Sequence, residues 1–302
     1  MKAVLTGSGG LLGSNIARAW HAIRPEDELV ALTRADVDLL DAAATADAIA
    51  AIAPDAIIHA AAHVAGISEK LRAPAAFLAT NLRVDDSVFG AAIAAGVPEF
   101  LYISSAAVYP ADAVQPIPEA ALLTGPLEAA NEGYGLAKIV GTRRCAYVSH
   151  ERGWAYRAAL PSNLYGPGDD YRPGRAHLVA SAIAKAREAV VAGTPTIDVW
   201  GDGTARREFT YAPDLAAWLV TQVGALEAWP ALLNVGSGEE CTVREYYELA
   251  ATAAGFTGDL AFDPERPSGV PRRLLDSSVA RGLGWTPSTS WVDGVAASDT
   301  DL

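Results

Sequence analysis

Short runs of apolar, β-prone residues recur through the first half of the chain, and each is followed by a longer alanine-rich segment. The runs are KAVLTG (2–7), ELVALTR (28–34), AIIHAAA (56–62), EFLYISS (99–105) and AYRAALPS (155–162). Between them, residues 13–23, 43–53, 75–95 and 135–151 read as helices. Their 3.6-residue spacing is blurred because alanine fits either face. Alternation of strand and helix predicts βαβ units, hence an α/β fold with a parallel, doubly wound sheet.

After residue 165 the rhythm changes. YGPGDDYRPG (165–174) is a turn-rich loop, a helix is predicted over 176–190, and TIDVWGDGTARREFTYAPDLA (196–216) reads as strand, glycine turn, strand and helix start. A further helix over 243–254 is followed by proline-rich loops at 263–273. There is no repeat and no low-complexity linker, so two interleaved lobes are expected. One holds residues 1–165, with part of 212–240 returning to it; a smaller C-terminal α/β substrate lobe holds 166–211 and 241–302.

Composition narrows the class. The 302 residues are 51% hydrophobic, enough for a packed core. A net charge of −13 weighs against nucleic acid or an anionic membrane as partner; an anionic small molecule would need a local cluster of arginines. Cys145 and Cys241 stand far apart, without the spacing of a disulfide framework or a metal site. The N-terminal MKAVLTGSGG is too short and too glycine-broken for a signal segment, and no run approaches the roughly eighteen apolar residues of a membrane helix. A soluble, cytoplasmic protein is expected.

TGSGGLLG (6–13) places Gly7, Gly10 and Gly13 directly after the first strand and at the start of a helix. Such a turn needs one glycine for its sharpness, one for close backbone approach to a pyrophosphate and one for helix–strand packing; the helix N-terminus then meets the phosphate. This predicts a Rossmann dinucleotide site. An acidic residue after the second strand would bind the ribose hydroxyls of NAD, but this chain has Thr33 and Arg34 there. Arginine suits a 2′-phosphate, so NADP(H) is the expected cofactor; the alternative has Arg34 as a surface charge and Asp36 on the ribose. DVDLLD (36–41) is expected to end a third short strand, with Asp38 and Leu39 near the adenine.

YGLAK (134–138) sets Tyr134 and Lys138 on one helix face. A nearby ammonium favours the phenolate and makes tyrosine a better acid–base near neutral pH. The pair follows by about 30 residues a strand ending ISSAAVYP (103–110). In a dinucleotide fold that combination is specific: Ser105 donates a hydrogen bond to a carbonyl oxygen, Tyr134 protonates it, and Lys138 holds the nicotinamide ribose while tuning Tyr134.

With these motifs the chain resembles the extended short-chain dehydrogenases/reductases that act on nucleotide sugars, and within them the GDP-L-fucose synthases, which combine 3,5-epimerisation with 4-reduction. The resemblance is carried by PIPEAALLTGPLEAANEGYGLAKIVG (116–141), LPSNLYGPGD (160–169), VWGDGTARREFTYAPDLA (199–216), LNVGSGEE (233–240) and GVPRRLLD (269–276). It implies a Rossmann domain with a small substrate lobe, NADP(H), a nucleotide-diphosphate sugar as substrate and a homodimer. It also implies roles: Ser105, Tyr134 and Lys138 as the catalytic serine, tyrosine and lysine, and Asn163 as a substrate contact. His177 falls on the family's epimerisation acid–base. Arg207 and Arg273 fall on basic positions near the nucleotide, and Trp200 joins the substrate-binding residues.

The departures matter as much. The family's strand end reads Ser-Ser-Cys-Ile-Tyr-Pro, and anchoring on Tyr109 puts Ala107 at the cysteine. Inverting C3 or C5 beside a 4-keto group needs a base on one face and an acid on the other, and alanine is neither. Hydride transfer needs only Ser105, Tyr134, Lys138 and the cofactor. The expectation is an NADPH-dependent 4-ketoreductase of a nucleotide-diphosphate 4-keto-6-deoxysugar without epimerase activity. The alternative is a bifunctional synthase with a substituted acid–base, for which His63 and Glu132 are candidates. A non-catalytic NADP sensor is disfavoured by the intact Tyr134 and Lys138. Arg172, where the synthases commonly carry a histidine, bears on substrate choice, and Gly9 stands where some carry a second 2′-phosphate arginine.

Overall fold

The computed structural model describes residues 1–64, 66–266 and 269–299. Strands β1 (Lys2–Thr6), β2 (Glu28–Leu32), β3 (Ala56–His59), β4 (Glu99–Ile103) and β5 (Ala155–Pro161) form where the apolar runs stand. Helices α1 (Leu11–Ile23), α2 (Ala42–Ile52), α3 (Ile67–Arg72), α4 (Pro74–Ala94) and α5 (Glu132–Arg152) connect them. The second half adds β6 (Asn163–Tyr165), α6 (Leu178–Ala192), β7 (Thr196–Trp200), β8 (Arg206–Tyr211) and α7 (Ala212–Gln222). It continues with β9 (Leu232–Val235), β10 (Glu240–Thr242), α8 (Val243–Ala254), β11 (Asp259–Asp263) and β12 (Arg272–Arg273). Two short helices, α9 (Ser278–Gly282) and α10 (Trp291–Asp299), end the described chain.

The main sheet has six strands in the order β2-β1-β3-β4-β5-β9, every neighbour parallel. One face is covered by α2, α4 and α5 through Ile49, Val88, Phe89, Ile139 and Val148; α1 and α7 cover the other through Leu12, Ile16, Trp20 and Leu219. Continuous burial of β3 follows from this two-sided cover. Each fully buried Ile or Leu here contributes about 1.5–3 kcal/mol. The strand order reverses between β1 and β3, and the crevice at that reversal, beyond the carboxyl ends of the strands, is where open α/β sheets take ligands.

A smaller sheet, β10-β8-β12 with β6 also on β8, and the parallel pair β11-β7 build the second layer. Its core lies between α6 and α8, around Ile183, Phe209 and Tyr246. Local chemistry sets several helix ends. Asp41 caps α2 by accepting from Ala43 and Ala44, Thr242 and Glu245 form a capping box on α8, and left-handed Gly153, Gly193 and Gly255 terminate α5, α6 and α8.

One expectation fails beside the main sheet, between β2 and α2. Residues 36–41 form turns rather than a strand. Asp36 folds back so that its carboxylate accepts from the Thr33 amide at 2.8 Å and the Thr33 hydroxyl at 2.6 Å, and Asp41 is committed to capping α2. Side chains that satisfy backbone donors locally compete with a sheet ladder. Among the described residues no helix is long and apolar enough to cross a membrane.

Candidate active site

The glycine turn is built as the sequence requires. Gly7 has φ +75°, and a Cβ there would lie 2.6 Å from the Ala61 amide nitrogen, so β1 and the chain after β3 approach too closely for a side chain. A Cβ on Gly13 would lie 2.1 Å from the Gly7 carbonyl oxygen. The Gly10 amide donates to that carbonyl at 3.0 Å and closes the turn, and α1 starts at Leu11 with its free amides toward the crevice. A backbone cradle with no room for a Cβ at Gly7 or Gly13, at the N-terminus of a three-turn helix, fits a dinucleotide pyrophosphate. At its rim Arg34 is exposed and lines the cleft with Asp38 and Leu39. Asp36 is absent from that lining, its carboxylate being held on Thr33.

The cleft has a volume of about 1980 Å³ and runs from this turn across the strand ends into the second layer. It collects Ser105, Tyr134, Lys138, Asn163, His177, Trp200, Arg207 and Arg273, positions spread over 169 residues of sequence from Ser105 to Arg273 inclusive. Trp200, 44% exposed at the end of β7, carries the Arg266 guanidinium 5.4 Å from its ring centroid. Glu132 does not line the cleft; His63 does, with its ring stacked on Phe77 at 4.4 Å and its amide and carbonyl clamped by Asn81.

At the end of β4 the two serines part company. The Ser104 hydroxyl is paired with Thr142 on α5 at 2.8 Å, whereas Ser105 opens the turn Ala106–Val108 and is hydrogen-bonded to Tyr134. Gly135 lets α5 pack against this turn, since a Cβ there would lie 2.7 Å from the Ala107 carbonyl oxygen. Ala107 itself lines the cleft with a methyl group.

Lys138 is 1% exposed; its ammonium donates to the Ile103 carbonyl at 3.0 Å and lies 4.4 Å from the Tyr102 ring centroid and 6.0 Å from that of Tyr134. Burial pushes its pKa down, opposed by the Asp85 carboxylate. Asp85 is part of a buried set that the sequence reading missed. The Tyr102 hydroxyl donates to it at 2.5 Å, His59 Nε2 lies at 3.1 Å, and His59 Nδ1 meets the Thr6 hydroxyl at 2.6 Å. Burial works against ionising Asp85, yet the Lys138 ammonium and the bonds from His59 and Tyr102 hold its carboxyl below the usual range.

Burial governs the Tyr134 phenol more than its charged neighbours do. Burial raises its pKa, and the Ser105 bond only partly offsets that rise. The phenol is therefore a held proton at neutral pH rather than a phenolate.

A second set of residues escaped sequence reading. The Arg273 guanidinium donates to the Ala106 carbonyl at 2.8 Å and lies 3.6 Å from Glu128. Glu128 accepts from Asn131 at 2.8 Å, and Asn131 accepts from Lys70 at 3.0 Å. The Lys70 ammonium stands 5.2 Å from the Tyr134 ring centroid, and burial lowers its pKa to about 8. His177, at the start of α6, opens onto the cleft; the surrounding protein and the Lys70 charge push its pKa down. Arg172 is tied to Asp170 at 2.6 Å. Burial raises the Asp169 carboxyl to about 6, and among the described residues its Oδ2 has no hydrogen-bond partner. No spacing rule finds Lys70, Glu128 or Asp169, because each meets the cleft through long-range packing.

A parallel sheet reversing at β1/β3, with a glycine cradle at the reversal, defines a dinucleotide-binding α/β protein. Residues 3–236 match the NAD dependent epimerase/dehydratase family, and the chain belongs to it. It is 36% identical over 297 residues to GDP-L-fucose synthase of Azorhizobium caulinodans, covering 98% of this chain and 95% of that protein. It is 34% identical to GDP-L-colitose synthase of Yersinia pseudotuberculosis, covering 98% and 96%. A solved GDP-6-OMe-4-keto-L-xylo-heptose reductase from C. jejuni superposes with a TM-score of 0.90 at 23% identity, over 98% of this chain and 95% of that one, a likeness of fold.

Proposed function

We propose that the protein is an NADPH-dependent 4-ketoreductase of a GDP-linked 4-keto-6-deoxysugar that does not epimerise its substrate. The observation that carries this reading is Ser105, Tyr134 and Lys138 in one cleft with the Ala107 methyl where the synthases have a thiol. The curated relatives named above support a GDP-sugar substrate. Reduced nicotinamide, when bound, supplies the hydride. The Ser105 hydroxyl donates to the sugar carbonyl oxygen and aligns it. Tyr134, kept protonated by its burial, gives its proton to that oxygen as the carbon becomes a carbinol. Lys138 keeps a cation beneath the site against the buried Asp85 and presents its remaining donors to a ribose.

Inversion at C3 or C5 requires a second titratable group on the face opposite His177, and Ala107 offers none. The test is turnover of GDP-4-keto-6-deoxymannose with NADPH in deuterated water, followed by NMR of the product. NADPH consumption with no deuterium at C3 or C5 is expected; deuterium at both carbons establishes the bifunctional synthase instead.

Arg34 faces the cleft rim where a 2′-phosphate would lie. Arg34→Ala is expected to weaken NADPH binding by about 10–100-fold, the worth of one charge-assisted contact, and to leave NADH binding unchanged. Fluorescence titration of both nucleotides measures this, and equal losses for the two would remove the 2′-phosphate role.

A further inference from the structure

Lys70 is a cation without an assigned purpose in a place where cations are costly. It comes from α3, far from Tyr134 in sequence, yet its ammonium faces the Tyr134 ring at 5.2 Å and lines the cleft. An ammonium has three donors. Among the described residues Lys70 uses one, on Asn131 Oδ1 at 3.0 Å. It has no salt bridge there, because the facing carboxylate, Glu128, is engaged by Arg273 at 3.6 Å and by Asn131 at 2.8 Å. The other titratable groups that face it are Tyr134 on α5 and His177 at the start of α6, and neither supplies a negative charge at neutral pH.

A partly buried ammonium with spare donors is stabilised when an acceptor arrives. The cleft beside it is where the reacting sugar must lie, because Tyr134 and Ser105 bracket the same space. The guanidinium of Arg273 stands further along the relay that runs from Lys70 through Asn131 and Glu128 to the Ala106 carbonyl. That relay fixes Lys70 relative to the strand end without consuming its two free donors.

We infer that Lys70 is a substrate-binding residue of the sugar subsite, donating to oxygens of the hexose next to the reacting carbon and setting which sugar the cleft accepts. This rests on the nucleotide-sugar reading above. Its role is separable from that of the nucleotide: the hexose gains the contact and the diphosphate does not.

The test uses GDP and GDP-mannose as stable probes, titrated calorimetrically into the NADP-loaded wild type and into Lys70→Met, which keeps the stem and removes the donors. The expected result is a GDP-mannose Kd raised at least tenfold, about 1.4 kcal/mol, with the GDP Kd unchanged within about twofold. Lys70→Arg should recover part of the loss. An unchanged GDP-mannose Kd overturns the inference, as does equal weakening of both probes, which would put Lys70 on the diphosphate. A wild type that binds GDP no more weakly than GDP-mannose overturns it too, since the hexose then gains nothing. A wild type that binds NADPH but neither probe fails the GDP-sugar reading itself. Unchanged GDP binding also certifies that the variant is folded.

Discussion

Tyr134→Phe is expected to lower the rate of ketone reduction by about 10²–10⁴-fold while NADPH binding is retained, because the substitution removes one oxygen and its proton. The ring is 8% exposed, with the Lys70 ammonium 5.2 Å and the Lys138 ammonium 6.0 Å from its centroid, and phenylalanine fills the same space. What disappears is the proton delivered to the nascent alkoxide and the hydroxyl bonded to Ser105. The pH dependence carries the sign. With the Tyr134 pKa raised by burial, the acid is present throughout the neutral range, and reduction declines only at strongly alkaline pH, when the phenol ionises. A rate falling through neutrality would point to another group as the acid. Rates from NADPH absorbance, set beside a fluorescence titration of the cofactor, separate chemistry from binding. A variant with near wild-type turnover would remove Tyr134 from the mechanism.

Gly13→Ala is expected to abolish measurable NADPH binding and to lower the thermal midpoint, whereas Gly9→Ala leaves stability within about 0.5 kcal/mol. The two lie in one turn and differ in what surrounds them. A Cβ on Gly13 would sit 2.1 Å from the Gly7 oxygen and 2.7 Å from the Gly7 carbonyl carbon, both backbone atoms that move only if the turn opens. Overpacking of this kind costs about 1–3 kcal/mol or more, and opening the turn withdraws the amides that would meet a pyrophosphate. A Cβ on Gly9 meets nothing within 4 Å. Thermal melts with and without NADPH test both variants. Ligand-induced stabilisation surviving in Gly13→Ala would show that the cradle tolerates a methyl group and that the phosphate is held elsewhere.

The strand–turn–helix around Gly7, Gly10 and Gly13, the alternation that yields six parallel strands and the Tyr134–Lys138 spacing were legible because each is a short-range relation. Period, turn chemistry and the helical i, i+4 offset are properties of a few adjacent residues, and they survive any packing compatible with the fold. The strand expected at 36–41 failed at that same range: two aspartates found backbone donors nearby and displaced the ladder. That residue 107 is an alanine was legible too, as the identity of one residue; its standing for a lost thiol belongs to the function proposed above. Tertiary structure alone decided the rest. Arg273 reaches the Ala106 carbonyl across 167 positions, and Lys70 reaches Asn131 across 61. Burial raises the Tyr134 pKa, and desolvation depends on everything packed around the ring, an environment that no spacing along the chain encodes.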